Sequence, residues 1–203
     1  MGSNSADGLN FYPYILSIFK KTILSKHQSI FVSALQNPST KEEAFRKLVS
    51  DYKERLYWHI RKLVLDHDDA HDVIQNTFIK IHLNIDKFRE NSSLYTWMYR
   101  IATNESLNFI NSKASKMGLQ NQEWIEAKAD GLMADSYFDG DQAALKLQKM
   151  VARLPEKQRI VFNMRYFDNM NYDAISEVLD TSVGALKASY HHAAKKIKTE
   201  LND

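Results

Sequence analysis

The sequence predicts an all-α protein with two helical domains joined by a linker, the second domain being a helix-turn-helix. Helix breakers are scarce, because the 203 residues include only six glycines and three prolines. Apolar residues recur at steps of three and four over long stretches, which is the period of an amphipathic helix. This pattern weakens at residues 117–141, where acids dominate and glycines interrupt, and the change predicts the linker.

The pattern divides the chain into four parts. Residues 1–40 form an N-terminal extension whose role stays open, residues 41–116 the first domain, residues 117–141 the acidic linker and residues 142–203 the second domain. In the first domain, Thr40 and the two acids after it predict a helix start. Residues 66–69 are an acidic break that starts the next helix, and an apolar stripe follows it at steps of four and three: Ile74, Phe78, Ile81, Ile85 and Phe88.

Composition excludes several kinds of site. The absence of cysteine excludes disulfides, thiolate metal sites and cysteine nucleophiles, and it fits a reducing cytoplasm. The formal net charge is only +2, so binding to nucleic acid would depend on local patches. The apolar stretch at residues 11–24 is too short and too interrupted to span a bilayer. We therefore expect a cytoplasmic protein with no membrane insertion.

Residues 154–198 predict the helix-turn-helix. Pro155 lies at a helix start, where its missing N–H costs nothing, and this helix runs to residue 167. Residues 172–179 form a short second helix, and Thr181 or Ser182 is the N-cap of a longer third helix over residues 183–199. The third helix is expected to turn the following side chains inward: Leu186, Tyr190 and Ala193 or Ala194.

The outward side of this third helix is basic. Residues 183–198 include four lysines and no carboxylate, and the side chains near the helix start are short. Such a helix suits the major groove, where its first residues reach base edges while its lysines pair with phosphates. A solvated C-terminal helix with cations placed to suit its dipole is the alternative. The short helix and turn before it favour binding to duplex DNA.

Two surfaces of the first domain also suggest contacts. The helix after the acidic break has a polar side with one apolar residue, Ile79, which indicates a contact surface. The helix at residues 94–111 carries Arg100, Asn104 and Asn108 on one face, while Trp97 is expected in the core. Residues 87–116 contain five basic residues against two acids, a composition that suits single-stranded or melted nucleic acid.

Four runs of residues stand out in order along the chain: DDAHDVIQNTFI at 68–79, TWMYRIATN at 96–104, LPEKQRIVF at 154–162, and YDAIS at 172–176 with SVGALK at 182–187. Together these runs resemble the bacterial RNA polymerase sigma factors of the extracytoplasmic-function (ECF) group in the sigma-70 family. The resemblance covers roughly residues 41–201. Residues 181–193 are in addition similar to sigma factors of the Bacteroidetes.

The resemblance implies three sets of contact residues. The set expected to dock on the clamp of the polymerase core is Asp72, Gln75, Asn76 and Ile79. The set expected to recognise and open the minus-ten promoter element, with capture of a flipped base, is Phe88, Arg89, Asn91, Ser92, Arg100, Asn104 and Asn108. The set expected to read the minus-thirty-five element as duplex is Ser182, Gly184, Ala185, Lys187, Ala188, Ser189, His191, His192 and Lys195.

The same resemblance implies the partners. They are RNA polymerase core, through its beta-prime clamp and beta flap, promoter DNA and an anti-sigma factor; no cofactor and no catalytic residue are expected. Four positions depart from the family pattern. Asn76 replaces a frequent Glu, Asp180 replaces a turn Gly, and Ser189 and His192 replace arginines of the recognition helix. The last two bear on the promoter sequence, because losing Arg weakens phosphate contacts and shifts base readout.

Two other functions are open to this sequence. A stand-alone helix-turn-helix regulator would bind duplex operator DNA without polymerase, usually as a dimer. A metal phosphohydrolase of the HD type would use the His67-Asp68 and His71-Asp72 pairs, which lie four residues apart on one helical face. That enzyme needs further His and Asp ligands on other helices, and none stands out. Solvated histidines at an acidic helix start explain the two pairs more simply.

Overall fold

The computed structural model describes residues 27–131 and 142–202, and this part of the chain is helical with no strand. The all-α prediction is therefore confirmed. The helices are α1 (residues 27–36), α2 (Lys41–Val64), α3 (His67–Asn84), α4 (Leu94–Lys116), α5 (Asn121–Gly131), α6 (Gln142–Ala152), α7 (Glu156–Phe162), α8 (Tyr172–Leu179) and α9 (Val183–Asn202). A short 3-10 turn at Ile85–Lys87 follows α3, and a wider π turn at Asn163–Phe167 extends α7.

The helix starts in the first domain are set by different side chains. Asp66 is the N-cap of α3, since its carboxylate accepts the backbone N–H of Asp69 at 3.0 Å. Thr40 occupies the N-cap position of α2 but makes no capping bond, because its hydroxyl donates instead to the carbonyl of Ala34 at 2.8 Å. The predicted helix start was therefore correct, although the Thr40 side chain does not provide the cap.

Part of the N-terminal extension belongs to the first domain. Leu35 of α1 is fully buried, and the Gln36 amide donates to the carbonyls of Ile85 and Phe88 at 2.8 and 2.9 Å. Gln28 accepts the backbone N–H of Leu94 at 3.2 Å. Helix α1 thus holds both ends of the loop between α3 and α4. Residues 1–26 lie outside the described residues.

The first half of the predicted linker forms a packed helix, α5, which the sequence pattern did not predict. Trp124, Ile125 and Ala129 are buried, and the Lys128 ammonium lies 2.8 Å from Asp66 and 2.9 Å from Asp69. The acids of this segment obscured a narrow apolar stripe that packs against α4 and α6. The second half of the predicted linker, residues 132–141, lies outside the described residues.

The helix-turn-helix has the predicted elements. The backbone of Asp180 is left-handed, with φ +49°, which is the geometry expected where the family pattern has Gly. Ser182 caps α9 by accepting the N–H of Ala185 at 3.4 Å. Leu186 and Ala193 are buried as predicted, and Tyr190 is half-buried with its ring stacked on Phe162 at 5.6 Å.

The two domains pack directly against each other. Helix α8 lies on α4, and the π turn lies on α2, so that buried residues from both domains form one continuous hydrophobic cluster. Met170, Ile175 and Val178 of the second domain belong to this cluster together with Tyr99 and Ala102 of α4. Consequently, part of the α4 surface is covered by the second domain.

Candidate polymerase and promoter interface

One side of α3 is exposed and carries the predicted polymerase-binding set. Asp72, Gln75 and Asn76 are exposed, and Ile79 is 56% exposed. The opposite side of the helix is fixed in the core by Val73, Ile74, Thr77 and Ile81. The helix is therefore a rigid support for whatever binds its outer side.

Leu83 extends this surface and was not predicted. It lies one turn after Ile79 and is 66% exposed, so the two side chains form an apolar patch on an otherwise polar face. The signal in the sequence was that Ile79 and Leu83 are apolar residues four positions apart and do not belong to the core stripe. We call the surface of Asp72, Gln75, Asn76, Ile79 and Leu83 the α3 face.

The loop before α4 is held in place by the first domain. The Arg89 guanidinium donates to the carbonyl of Asp86 at 2.9 Å, and Ser93 caps α4 by accepting the N–H of Thr96 at 3.0 Å. Asn91 is exposed and Ser92 is half-exposed. Phe88, in contrast, is buried, with its ring 5.1 Å from that of Trp97. The expectation that Phe88 touches DNA does not fit this burial. The Phe88 side chain instead packs in the hydrophobic core at the start of the loop.

Asn104 and Asn108 line an open groove of about 420 Å³ between α3 and α4. Its other lining residues were not predicted as contacts: Lys80, Asn84, Lys87, Trp97, Ile101 and Glu105. Lys80 pairs with Glu105 across the groove at 2.5 Å. Amides, cations and an indole edge together suit an unpaired base and its phosphate. Sequence spacing along α4 alone could not place Lys80 of α3 and Lys87 of the 3-10 turn beside these asparagines.

Arg100 points away from this groove. Its guanidinium donates to the main-chain carbonyl of Glu177 in α8, with Nε at 3.0 Å. The predicted minus-ten set is therefore divided. Asn104 and Asn108 lie in the groove, Arg89, Asn91 and Ser92 lie on the loop, and Arg100, although exposed, is hydrogen-bonded to the second domain.

A buried polar cluster lies where the π turn meets α2. His59 bonds Asp168 through Nδ1 at 2.6 Å and Thr103 through Nε2 at 2.9 Å, and Lys62 lies 2.7 Å from the same Asp168 carboxylate. Burial alone would raise the pKa of Asp168. The charge and hydrogen bond of His59, aided by Lys62, outweigh burial and hold that pKa below its ordinary value.

Burial also raises the pKa of Tyr99, with contributions from its hydrogen bond to Tyr95 and from the charge of Asp168. Both tyrosines line a cleft between the domains. They therefore stay neutral under ordinary conditions and act here as packing and hydrogen-bonding groups.

The outward side of α9 is open to solvent. Ser189 is half-exposed, and the other residues of the predicted minus-thirty-five set are exposed: Ser182, Gly184, Ala185, Lys187, Ala188, His191, His192 and Lys195. Lys187 lies 5.9 Å from the centroid of the Tyr172 ring, which positions its ammonium near the start of the helix. The predicted minus-thirty-five set is thus accessible along the outward side of α9.

The histidines at the start of α3 are held by aromatic neighbours. His67 Nδ1 bonds the Tyr57 hydroxyl at 2.8 Å, and its ring lies 4.5 Å from that of His71. Within residues 27–131 and 142–202, no group of three His, Asp or Glu side chains is placed to hold a metal ion. No helix in the same ranges is long and apolar enough to cross a membrane.

Comparison with known proteins identifies the family. Residues 48–116 match the model of sigma-70 region 2, and residues 144–197 match that of sigma-70 region 4. The chain belongs to the ECF group of the sigma-70 family. It is 28% identical over 170 residues to the ECF RNA polymerase sigma factor SigW of Bacillus subtilis, a match that covers 80% of this chain and 91% of SigW.

Other relatives agree with this assignment. The chain is 28% identical over 168 residues to the ECF sigma-E factor of Escherichia coli K12, covering 79% of this chain and 87% of that protein. Its fold is similar to CnrH, solved with the cytosolic domain of CnrY (TM-score 0.63, 20% identity, 86% of this chain and 97% of that one). It is also similar to RpoE, solved with the anti-sigma factor NepR from Bartonella quintana (TM-score 0.61, 19% identity, 78% and 96%).

The family defines the general role of the chain. It is a sigma factor that directs transcription initiation by RNA polymerase at promoter DNA.

Proposed function

We propose that the three surfaces of this sigma factor divide the work of initiation. The α3 face binds the clamp of RNA polymerase core, the groove between α3 and α4 with the loop at residues 89–93 receives the melted minus-ten element, and the outward side of α9 reads the minus-thirty-five duplex. The observation that carries this proposal is the exposure of an apolar patch, an amide-lined groove and a basic helix on three separate faces of one chain.

The chemistry of each surface supports its partner. An apolar patch rimmed by polar residues is typical of a protein interface. A groove with Lys, Asn and a Trp edge suits a single strand, whose bases stack and whose phosphates need cations. A helix with four lysines and no carboxylate over residues 183–198 suits duplex DNA. The proposal also includes a second polymerase contact, between region 4 and the beta flap.

Several finer points belong to the same proposal. We infer a protein without catalytic residues or cofactor that acts in the cytoplasm, as initiation factors do. An anti-sigma factor is a further expected partner, since both similar structures hold such a partner or a cytosolic domain. The division into domains at residues 41–116 and 142–203 also stays a prediction, which the two family matches support. The similarity to sigma factors of the Bacteroidetes is likewise still a prediction.

The experiment that tests the proposal is binding to purified RNA polymerase core followed by run-off transcription from a promoter library. We expect tight core binding and transcripts from a restricted set of promoters, whose shared sequence gives the consensus. Absence of core binding, with duplex DNA still bound by the chain alone, would instead support the stand-alone regulator.

A further inference from the structure

Three side chains of α1 hold the loop at residues 89–93, which carries part of the proposed minus-ten set. Gln36 bonds the segment just before the loop, Ser29 bonds the loop itself, and Gln28 bonds the first residue after it. These partners lie 49 to 66 residues away along the chain. Helix α1 also precedes residues 48–116, the range that matches sigma-70 region 2. The loop is therefore attached to a helix that lies outside the matched range.

The two glutamines act through opposite ends of their amides. Both partners of Gln36 are carbonyls, that of Ile85 at 2.8 Å and that of Phe88 at 2.9 Å, so its NH₂ group donates both bonds. The partner of Gln28 is the backbone N–H of Leu94 at 3.2 Å, so its amide oxygen accepts. Leu94 is the first residue of α4, and the first N–H groups of a helix have no partner within it. Gln28 therefore satisfies a donor that α4 itself cannot satisfy.

The loop backbone has a conformation that requires support. Glu90 is left-handed, with φ +55°, a conformation that costs energy in a residue with a side chain and persists only where the surroundings hold it. The Ser29 hydroxyl of α1 donates to the Glu90 carboxylate at 3.1 Å. On the preceding residue, the Arg89 guanidinium donates to the carbonyl of Asp86 at 2.9 Å. The shape of the loop thus depends on side-chain contacts, and α1 supplies one of them at the strained residue.

The proposed DNA contacts of the loop lie between these attachment points. Asn91 is exposed and Ser92 is half-exposed, so the loop backbone sets where their polar groups point. A loop that must be ordered during binding loses conformational entropy and therefore affinity, whereas a loop already held in shape does not. Support from α1 should therefore favour capture of a melted strand.

We propose that α1 positions the loop at residues 89–93 for the minus-ten strand, and that Gln36 and Gln28 are positioning residues for this recognition. Neither glutamine touches DNA; each acts by fixing the backbone at one end of the loop. The ligand of the loop rests on the function proposed above, whereas the positioning itself rests only on the contacts of α1. Loosening α1 weakens the capture of a melted strand and leaves the α3 face and the outward side of α9 unchanged.

One substitution made at two positions separates the two amide roles. Gln36→Glu replaces the donating NH₂ group by a carboxylate oxygen, which cannot donate and faces two carbonyls. Gln28→Glu keeps an acceptor for the Leu94 N–H and places its charge at the start of α4, where the helix dipole favours it. Both variants add the same charge to the same helix, so Gln28→Glu is the matched control. Gln28→Met, which is of similar length but lacks the oxygen, should behave like Gln36→Glu.

The first test measures hydrogen exchange of the backbone amides at residues 88–94 by mass spectrometry. We expect exchange about tenfold faster than in the parent chain for Gln36→Glu and Gln28→Met, and parent-like exchange for Gln28→Glu. Exchange at residues 73–81, in the core side of α3, should stay the same in all four chains. Parent-like exchange of the loop in Gln28→Met and Gln36→Glu would overturn the positioning. Faster exchange in α3 as well would also overturn it, because the whole domain would then be loosened.

The second test measures recognition. Each chain is assembled with polymerase core, and the affinity for a single-stranded minus-ten oligonucleotide is measured by fluorescence anisotropy. Gln36→Glu and Gln28→Met should bind the strand about tenfold more weakly, while Gln28→Glu binds like the parent and all four chains bind core equally. A parallel loss of core and strand affinity, or equal strand affinity in every chain, would overturn the role in recognition. Failure of the parent chain to bind core would refute the proposed function, while hydrogen exchange would still decide whether α1 holds the loop.

Discussion

The two proposed DNA-facing surfaces of this sigma factor differ in how they contact the rest of the fold. On α9, Lys187, His191 and Lys195 all point to solvent. On α4, Asn104 and Asn108 are exposed in the groove, but Arg100 is bonded to the backbone of α8. The proposed surface for duplex DNA is thus exposed, whereas the proposed surface for the melted strand includes a residue that is bonded to the second domain.

This difference follows from what each target requires. Duplex phosphates attract exposed cations over about a Debye length, so a free basic helix is sufficient for first contact. An unpaired base needs a shaped site and appears only after melting. An exposed basic helix therefore suits first contact with duplex DNA, whereas a groove lined by amides and an indole suits a strand that has already melted.

The largest expected effect is a loss of affinity for polymerase core that leaves the binding of duplex DNA unchanged. We predict that Ile79→Glu combined with Leu83→Glu lowers affinity for polymerase core by about 100-fold, because two central apolar contacts become buried charges. Affinity for minus-thirty-five duplex should not change, since α9 lies in the other domain. The measurement is core binding by fluorescence anisotropy on full-length chain.

The control for that pair is Lys53→Glu, which adds a carboxylate on the exposed side of α2. It should leave core affinity unchanged. Equal losses in control and double variant would show that a general charge effect, rather than the α3 face, explains the result.

Local features of the fold could be predicted from the sequence. The spacing of apolar residues predicted α3, α8 and the start of α9, whereas the left-handed backbone of Asp180 was indicated only by the resemblance, which has Gly at this position. These depend on neighbours within one or two helical turns. The same kind of information identified Ile79 as an unusual exposed residue, although Leu83, one turn later, went unnoticed.

Contacts between distant segments could not be predicted in this way. Asp168 meets His59 across 109 residues, and nothing in either local pattern indicates a partner. Arg100 was assigned to DNA because it shares a helical face with Asn104, yet its guanidinium bonds a main-chain carbonyl of the second domain. Helix α5 was hidden for a different reason, since its buried residues are few and its acids resemble those of a linker.

A smaller effect is expected at the duplex surface. We predict that Lys187→Ala lowers affinity for minus-thirty-five duplex about fivefold and reduces the slope of log K against log salt by about one, as for one lost phosphate contact. Lys157→Ala, at an exposed lysine of α7, is the matched control and should change neither. Binding to duplexes of varied sequence provides the measurement, and a loss confined to one base position would mean that Lys187 reads a base instead.

The smallest effect concerns the helix that supports the α3 face. Asp66 caps α3 and pairs with Lys128 of α5 at 2.8 Å, so we predict that Asp66→Ala lowers the free energy of unfolding by about 1 kcal/mol at pH 7.

Burial alone would raise the pKa of Asp66, but the Asp69 N–H and Lys128 outweigh it and hold the pKa below 3.8. A lowered pKa means that the unfolded chain binds the proton more readily. The stabilisation by Asp66 is therefore complete above pH 3.8 and is lost as pH falls through the lower pKa of the folded chain. Urea unfolding of both chains should show a constant difference from pH 7 to 5 and a smaller one near pH 3. Asp68→Ala, in the same helical turn but exposed, should show a smaller difference throughout, and an equal loss there would assign the effect to the helix dipole rather than to the cap.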